Sequence, residues 1–287
     1  MPAYVTCRLP DFEIERFLAE DCPYGDLTSA ILEIGPQPGR IVFRARNETV
    51  ACCTEEAARL FESLGCVAAV AQPTGAVVSK GGVLAEARGQ AGALHMGWKA
   101  ALNLLEAACG IATRTRALVT EARLVNPDVE IVATRKIFPG TKPVATKAVY
   151  AGGGLPHRLG LSESVLVFAQ HVAFLGGEAE LWKRLSLIKA RAKEKKIGVE
   201  VIDEAGALRA ARAGADIIQV DKLAPADLAS LVKAVRAVAP QAAVAAAGGI
   251  DLDNAKAYAA TGVDLLVTSA MYWGKPADIG ATMEATG

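Results

Sequence analysis

Six basic side chains crowd into one short span: "TRKIFPGTKPVATKAVYAGGGLPHR", residues 134 to 158, holds Arg135, Lys136, Lys142, Lys147, His157 and Arg158. No acidic residue falls between Glu130 and Glu163. Arginine grips planar carboxylates and phosphates through paired hydrogen bonds, whereas lysine acts as a point charge. Lys+Arg and Asp+Glu both total 31 over the 287 residues, so this positive charge is local. A balanced chain offers no long-range field for nucleic acid or an anionic membrane. The cluster therefore suits a small anionic ligand, and its glycines and prolines suggest a shaped site more than a solvated helix face.

Further chemistry lies downstream. Glu200 and Asp221 close two consecutive apolar runs, "GVEVID" and "DIIQVD". Hard oxygen ligands of this kind hold Mg2+ through waters or grip sugar hydroxyls; salt bridging to the basic cluster is the other reading. Gly248-Gly249, after a strand and before a helix, offers backbone amides to a phosphate with help from the helix dipole, or is a plain tight turn. His157 follows a glycine run that lets backbone approach a ligand closely. Three histidines are too few and too scattered for a histidine metal site, and neither GxSxG nor a paired Cys–His motif appears. Lys136 or Lys222 as a Schiff-base amine of a barrel lyase remains a separate possibility. So does a non-catalytic sensor of an anionic metabolite or oxyanion.

The elements that must position these residues fall into two rhythms. In the first hundred residues "DFEIERFLAEDC" reads as a short helix and "RIVFRARNETV" alternates like a strand. "EEAARLFESLGC" is a helix stopped by Gly65, and a β-rich stretch follows. From Gly97 the period becomes helical, as one long helix or two consecutive ones ending before Asn126-Pro127. A domain boundary is expected in this region, giving domains 1–110 and 111–287. Beyond residue 128 six apolar runs of strand length appear: "EIVATR", "SVLVFAQ", "GVEVID", "DIIQVD", "AAVAAAGG" and "DLLVTS". Helical stretches follow the later ones. Such alternation implies a parallel α/β sheet, open or closed into a barrel. Arg135-Lys136, Glu200, Asp221-Lys222, Gly248-Gly249 and Ser269 all fall at strand ends, which favours a barrel with its active site at the strands' carboxyl ends.

Six cysteines lie within the first 109 residues without CxxC spacing. They read as buried free thiols in a reducing compartment, and a cytoplasmic location is expected. Arg8, Asp11, Glu13, Glu15 and Arg16 stand where a signal peptide needs an apolar core. No run approaches the roughly 18 uninterrupted apolar residues of a membrane span.

The series "TRKIFPGTKP…KAVYAGGGLPHRLGLSESVLV…H" resembles the nicotinate/quinolinate phosphoribosyltransferase family (type II). So do "YGDLTS" at 24–29, "ALNLLEAACGIATRT" at 101–115, "VEV" at 199–201 and "AAAGGI" at 245–250. Within the family the chain is most similar to the molybdenum-transport-associated pyrophosphorylase branch, ModD. The resemblance implies an N-terminal α/β sandwich domain followed by an incomplete six-stranded parallel α/β barrel. It also implies a homodimer in which one copy's N-terminal domain covers the other's barrel mouth. The implied activity joins phosphoribosyl pyrophosphate to a small anionic acceptor with Mg2+ and releases pyrophosphate. By the same resemblance Arg135, His157 and Arg158 contact the acidic substrate and Lys136 faces the pyrophosphate. Glu200 and Asp221 hold ribose hydroxyls or Mg2+, and Gly248 and Gly249 seat the 5′-phosphate.

The chain also departs from the family pattern. Lys99 replaces an arginine before "ALN", and the family's "KDNH" reads Phe168-Ala169-Gln170-His171, so a substrate-contacting lysine has become Phe168. Ala247 stands for a serine and Ser269 for a glycine near the phosphate. These changes cluster on the acceptor side and around the phosphate, which implies retained phosphoribosyl chemistry with an acceptor other than quinolinate. Nicotinate-nucleotide diphosphorylase (carboxylating) activity in NAD biosynthesis is the alternative.

Overall fold

The computed structural model of the chain describes residues 7–286. Along the first part run α1 (Asp11–Asp21), α2 (Leu27–Ile31), β1 (Pro38–Ala45), β2 (Thr49–Val50), α3 (Thr54–Ser63), β3 (Val67–Val70), β4 (Val77–Val78), β5 (Val83–Gln90) and α4 (Ala91–Arg123). The helical period from Gly97 thus resolves as one helix, which begins directly after β5. Helix α2 starts where the Asp26 carboxylate accepts the Thr28 N–H at 3.0 Å, satisfying a donor with no partner inside the helix. Helix α3 gives way to Gly65 at φ +81°, a left-handed conformation that glycine adopts without strain.

The chain continues with β6 (Glu130–Ala133), α5 (Lys142–Gly152), β7 (Leu155–Pro156), β8 (Val165–Val167), α6 (Ala169–Leu175), α7 (Glu178–Arg191) and β9 (Ile197–Val201). It ends with α8 (Glu204–Ala213), β10 (Ile217–Asp221), α9 (Pro225–Val238), β11 (Ala243–Ala247), α10 (Ala255–Ala259), β12 (Leu265–Thr268) and β13 (Ile279–Ala285).

These elements form two compact units. Of the described residues, the first gathers 7–116, 137–154 and 271–286. Its antiparallel sheet has the order β13-β1-β5-β3, with Ile41, Phe43, Leu60, Phe61, Leu84, Leu94 and Leu105 fully buried in one core. Each such side chain contributes about 1.5–3 kcal/mol by leaving water. All six cysteines are free thiols; Cys52, Cys53, Cys66 and Cys109 are buried as expected, while Cys7 and Cys22 are only half-buried. Burial pushes the Cys109 thiol up to about 12, which leaves it a small apolar group.

The second unit gathers residues 117–136 and 155–270. Its strands are all parallel, in the order β7-β6-β12-β11-β10-β9-β8, and curl into an incomplete barrel. Six of the seven are the expected apolar runs; the seventh, β7, is a two-residue strand beside β6. Small inward side chains, Ala245 and Ala247 with Val132 and Val267, fill the interior and leave room above it. Helices α8 and α9 follow their strands with alanine and leucine stripes buried, and Gly214 ends α8 in the left-handed conformation. Among the described residues no helix is long and apolar enough to cross a membrane.

The basic span is corrected at one residue. Lys142–Gly152 is a helix, and Lys147 on it is 6% exposed. Its ammonium lies 3.2 Å from the Glu55 carboxylate and 2.6 Å from that of Glu56, both on α3 in the same unit. The charge of Lys147 is therefore neutralised by acids some ninety positions away in sequence, which a local count of charges misses.

Candidate active site

The barrel unit holds a cavity of about 770 Å³, inside the range usual for small-molecule sites. Its lining comes from the carboxyl ends of successive strands. Arg135 and Lys136 follow β6, His157 and Arg158 follow β7, and Phe168 follows β8. Glu200 lies on β9, Gln219 and Asp221 on β10, Lys222 after it, and Gly248-Gly249 after β11. Ser269, after β12, lines a neighbouring recess of about 200 Å³ together with Thr134, Lys136, Gly248 and Gly249. Parallel strands leave one end of the sheet at a common level, so residues far apart in sequence reach one mouth.

The positive side of the cavity is uncompensated. Arg135, Lys136 and Arg158 have no carboxylate partner within ion-pair distance among the described residues, so their charge is available to a ligand. Burial, and then the charge of Arg135, hold the Arg158 guanidinium below its ordinary range. Burial and the nearby Arg158 likewise hold the His157 imidazole below its ordinary value of 6.5. A neutral imidazole offers one donor and one acceptor rather than a further cation.

The acidic side is built differently. Salt bridging does not account for Glu200, whose carboxylate accepts a 2.7 Å hydrogen bond from the Gln219 amide and pairs with no basic side chain among the described residues. Burial raises its pKa above the ordinary carboxylate value; Gln219 opposes this, Asp221 adds to it, and Lys136 and Lys222 oppose it. Asp221 keeps a long contact with Lys222, 3.9 Å. Gln219 was missed at the sequence level. Its signal was a lone amide two residues before Asp221 in an otherwise apolar strand, hence on the same face.

Gly248 and Gly249 adopt φ +91° and +73°. At Gly248 a Cβ would lie 2.5 Å from Lys222 Cγ, 2.6 Å from Asp221 Oδ1 and 3.0 Å from the Lys222 nitrogen. Only glycine lets the loops after β10 and β11 approach this closely, and Lys222 itself is left-handed at φ +58°. The expected helix dipole is displaced from the pair: a turn built on Asp251 and Asn254 intervenes, and α10 is only five residues long. Backbone amides at the loop, without a helix terminus behind them, are what this position offers a phosphate.

Two sequence candidates stand apart from the cavity lining. His171 accepts the Phe168 N–H on Nδ1 at 3.0 Å, and its ring stacks with that of Phe168, centroids 5.8 Å apart. It orients Phe168 and the start of α6. Lys99 is exposed on α4 in the other unit.

The family model for the quinolinate phosphoribosyl transferase C-terminal domain matches residues 111–280, and that for the N-terminal domain matches residues 26–109. The chain belongs to the quinolinate phosphoribosyl transferase family. It is 43% identical over 249 residues to a Rhodobacter capsulatus protein that carries the name of a pyrophosphorylase, ModD, covering 86% of this chain and 95% of that one. The human nicotinate-nucleotide pyrophosphorylase [carboxylating] is 30% identical over 264 residues, 92% of this chain and 88% of the human protein. Among solved structures, the nicotinate-nucleotide pyrophosphorylase from Francisella tularensis superposes with a TM-score of 0.88 at 24% identity, covering 97% and 98% of the two chains. That likeness carries the fold. Family membership makes the chain an enzyme of the phosphoribosyltransferase class, and the cavity at the strand ends is its candidate active site.

Proposed function

We propose that this chain transfers the phosphoribosyl group of phosphoribosyl pyrophosphate to a heteroaromatic acceptor bearing one anionic group, and that quinolinate is a poor acceptor. The observation that carries this reading is the division of one cavity into an uncompensated cationic side, Arg135, Lys136 and Arg158, and a carboxylate side, Glu200 and Asp221. In the reaction the acceptor's ring nitrogen contributes its lone pair to the ribose anomeric carbon. The bond from that carbon to pyrophosphate breaks, and its electron pair departs with the leaving group. Lys136 and its arginine neighbours stabilise the departing negative charge. Glu200 and Asp221 favour the positive sugar that develops as the bond lengthens. Gly248-Gly249 and Ser269 seat the 5′-phosphate in the smaller recess.

Mg2+ fits this donor set. Among the described residues no group of three or more His, Cys, Asp or Glu side chains is arranged to hold a metal. Mg2+ commonly binds through only one or two carboxylates together with substrate phosphates and waters. Glu200 and Asp221 would hold it, and when bound it would neutralise charge on the pyrophosphate. We place the working unit as a homodimer, in which the partner's Lys99 reaches the acceptor side of the cavity; its exposure on α4 supports this. Carboxylating nicotinate-nucleotide pyrophosphorylase activity is the second reading, supported by the human relative and by Arg135, His157 and Arg158 at the mouth.

Calorimetry with phosphoribosyl pyrophosphate and Mg2+ tests the donor side. Saturable binding that weakens on the order of tenfold or more in Lys136→Ala is expected for loss of a charge-assisted contact. No saturation at millimolar ligand, or binding indifferent to the substitution, would refute it.

A further inference from the structure

The inward face of β10 reads Ile217, Gln219, Asp221, from an apolar floor to a carboxylate at the mouth. Gln219 is 4% exposed. In the sheet it stands in register with Glu200 on β9 and with Ala245 on β11. Ala245 offers only a methyl group. The Gln219 Nε2 donates to Glu200 Oε2 at 2.7 Å, while its Oε1 has no hydrogen-bond partner among the described residues.

A buried amide with an unpaired carbonyl weakens a fold, and an unbranched apolar side chain of similar length would suit this layer better. The barrel therefore gains nothing from an amide here except the bond to Glu200. Glu200 in turn has no ion pair among the described residues, so no basic side chain holds its carboxylate. We propose that Gln219 is a positioning residue that fixes the Glu200 carboxylate toward the reacting ribose, an inference that rests on the cavity's role in phosphoribosyl transfer. A carboxylate free to rotate meets the developing positive charge in many orientations, and preorganisation is lost when that charge appears. Because the interaction strengthens as the charge develops, turnover suffers more than substrate binding.

Gln219→Met and Gln219→Leu remove the donor and keep the layer filled. In both, kcat is expected to fall roughly tenfold or more while KM for phosphoribosyl pyrophosphate stays within about threefold. The melting temperature should hold or rise, since the unpaired carbonyl is gone. Crystals of the variants should show the Glu200 carboxylate in more than one orientation where the wild-type chain shows one. Unchanged kcat, a single retained Glu200 orientation, or a loss of kcat matched by a lower melting temperature would each overturn the assignment. If the wild-type chain shows no turnover, the phosphoribosyl reading fails, and the order of Glu200 in the two crystals still decides whether Gln219 positions it.

Discussion

The Arg158 guanidinium lies over the face of Phe168, its central carbon 5.8 Å from the ring centroid. An aromatic face attracts such a cation, so Phe168 both walls the cavity and steadies Arg158. A lysine at 168 would repel Arg158 unless a ligand anion lay between them. In the proposed reaction the present pair would suit an acceptor with one anionic group gripped by arginine and an apolar edge against the ring. A second carboxylate there would lose solvation without gaining a partner. Lys147 does not replace that cation, since its ammonium is held by Glu55 and Glu56.

With quinolinate as acceptor, Phe168→Lys is expected to raise kcat/KM. A restored charge-assisted hydrogen bond is worth about 1.5–3 kcal/mol, on the order of tenfold to a hundredfold. Steady-state kinetics on the two proteins decide. Efficient wild-type turnover of quinolinate, unchanged or worse in the variant, would show that the cavity keeps a dicarboxylate preference.

Acid should destabilise the chain through His157. Its folded-state pKa lies below the ordinary 6.5, by burial and then by Arg158. The unfolded chain therefore takes up the proton first as pH falls. Stability is full above pH 6.5 and is lost as pH drops through the lower folded value. Melting temperatures between pH 7.5 and 5 should fall less steeply in His157→Gln than in the wild type. Parallel curves would mean that His157 is not responsible.

Lys147→Met should be strongly destabilising. It leaves Glu56, at 1% side-chain exposure, as a buried charge without its closest partner; breaking such a pair from one side costs about 3–5 kcal/mol. Urea unfolding measures the loss, and Lys147→Met combined with Glu56→Gln should recover part of it. A single variant as stable as wild type would mean that the pair contributes little.

Inactive Lys99→Ala and Lys136→Ala proteins should regain activity when unfolded together and refolded as a mixture. A mixed dimer can hold one cavity with both lysines intact. Full activity from a species that light scattering shows to be a monomer would contradict the shared site.

Much of this was legible in the residues, and the exceptions have physical causes. The barrel strands could be read because parallel strands buried on both faces are continuous apolar runs; β7 could not, since two residues carry no period. Arg135, Lys136, His157, Arg158, Phe168, Glu200, Asp221 and the glycine pair do share one cavity, because strand ends in a parallel sheet converge. Lys147 misled because proximity in sequence to other cations says nothing about acids on a distant helix. Gln219 went unremarked because a single amide in an apolar strand acquires meaning only from the neighbour that the register sets beside it.

Strand β1 is bordered by β5, which follows soon after it, and by β13, paired from Gly39↔Ala285 to Ala45↔Ile279. A ribosome delivers the two borders at very different times. At synthesis rates of ~5–20 residues per second, β1 waits on the order of ten to fifty seconds for its second neighbour. During that interval an unpaired edge could recruit a strand from another nascent chain. Arg40 and Arg44, on the face opposite buried Ile41 and Phe43, place charge along that edge. Charged side chains on an edge strand disfavour such pairing, so the side chains of β1 matter to a half-made sheet as well as to the finished one.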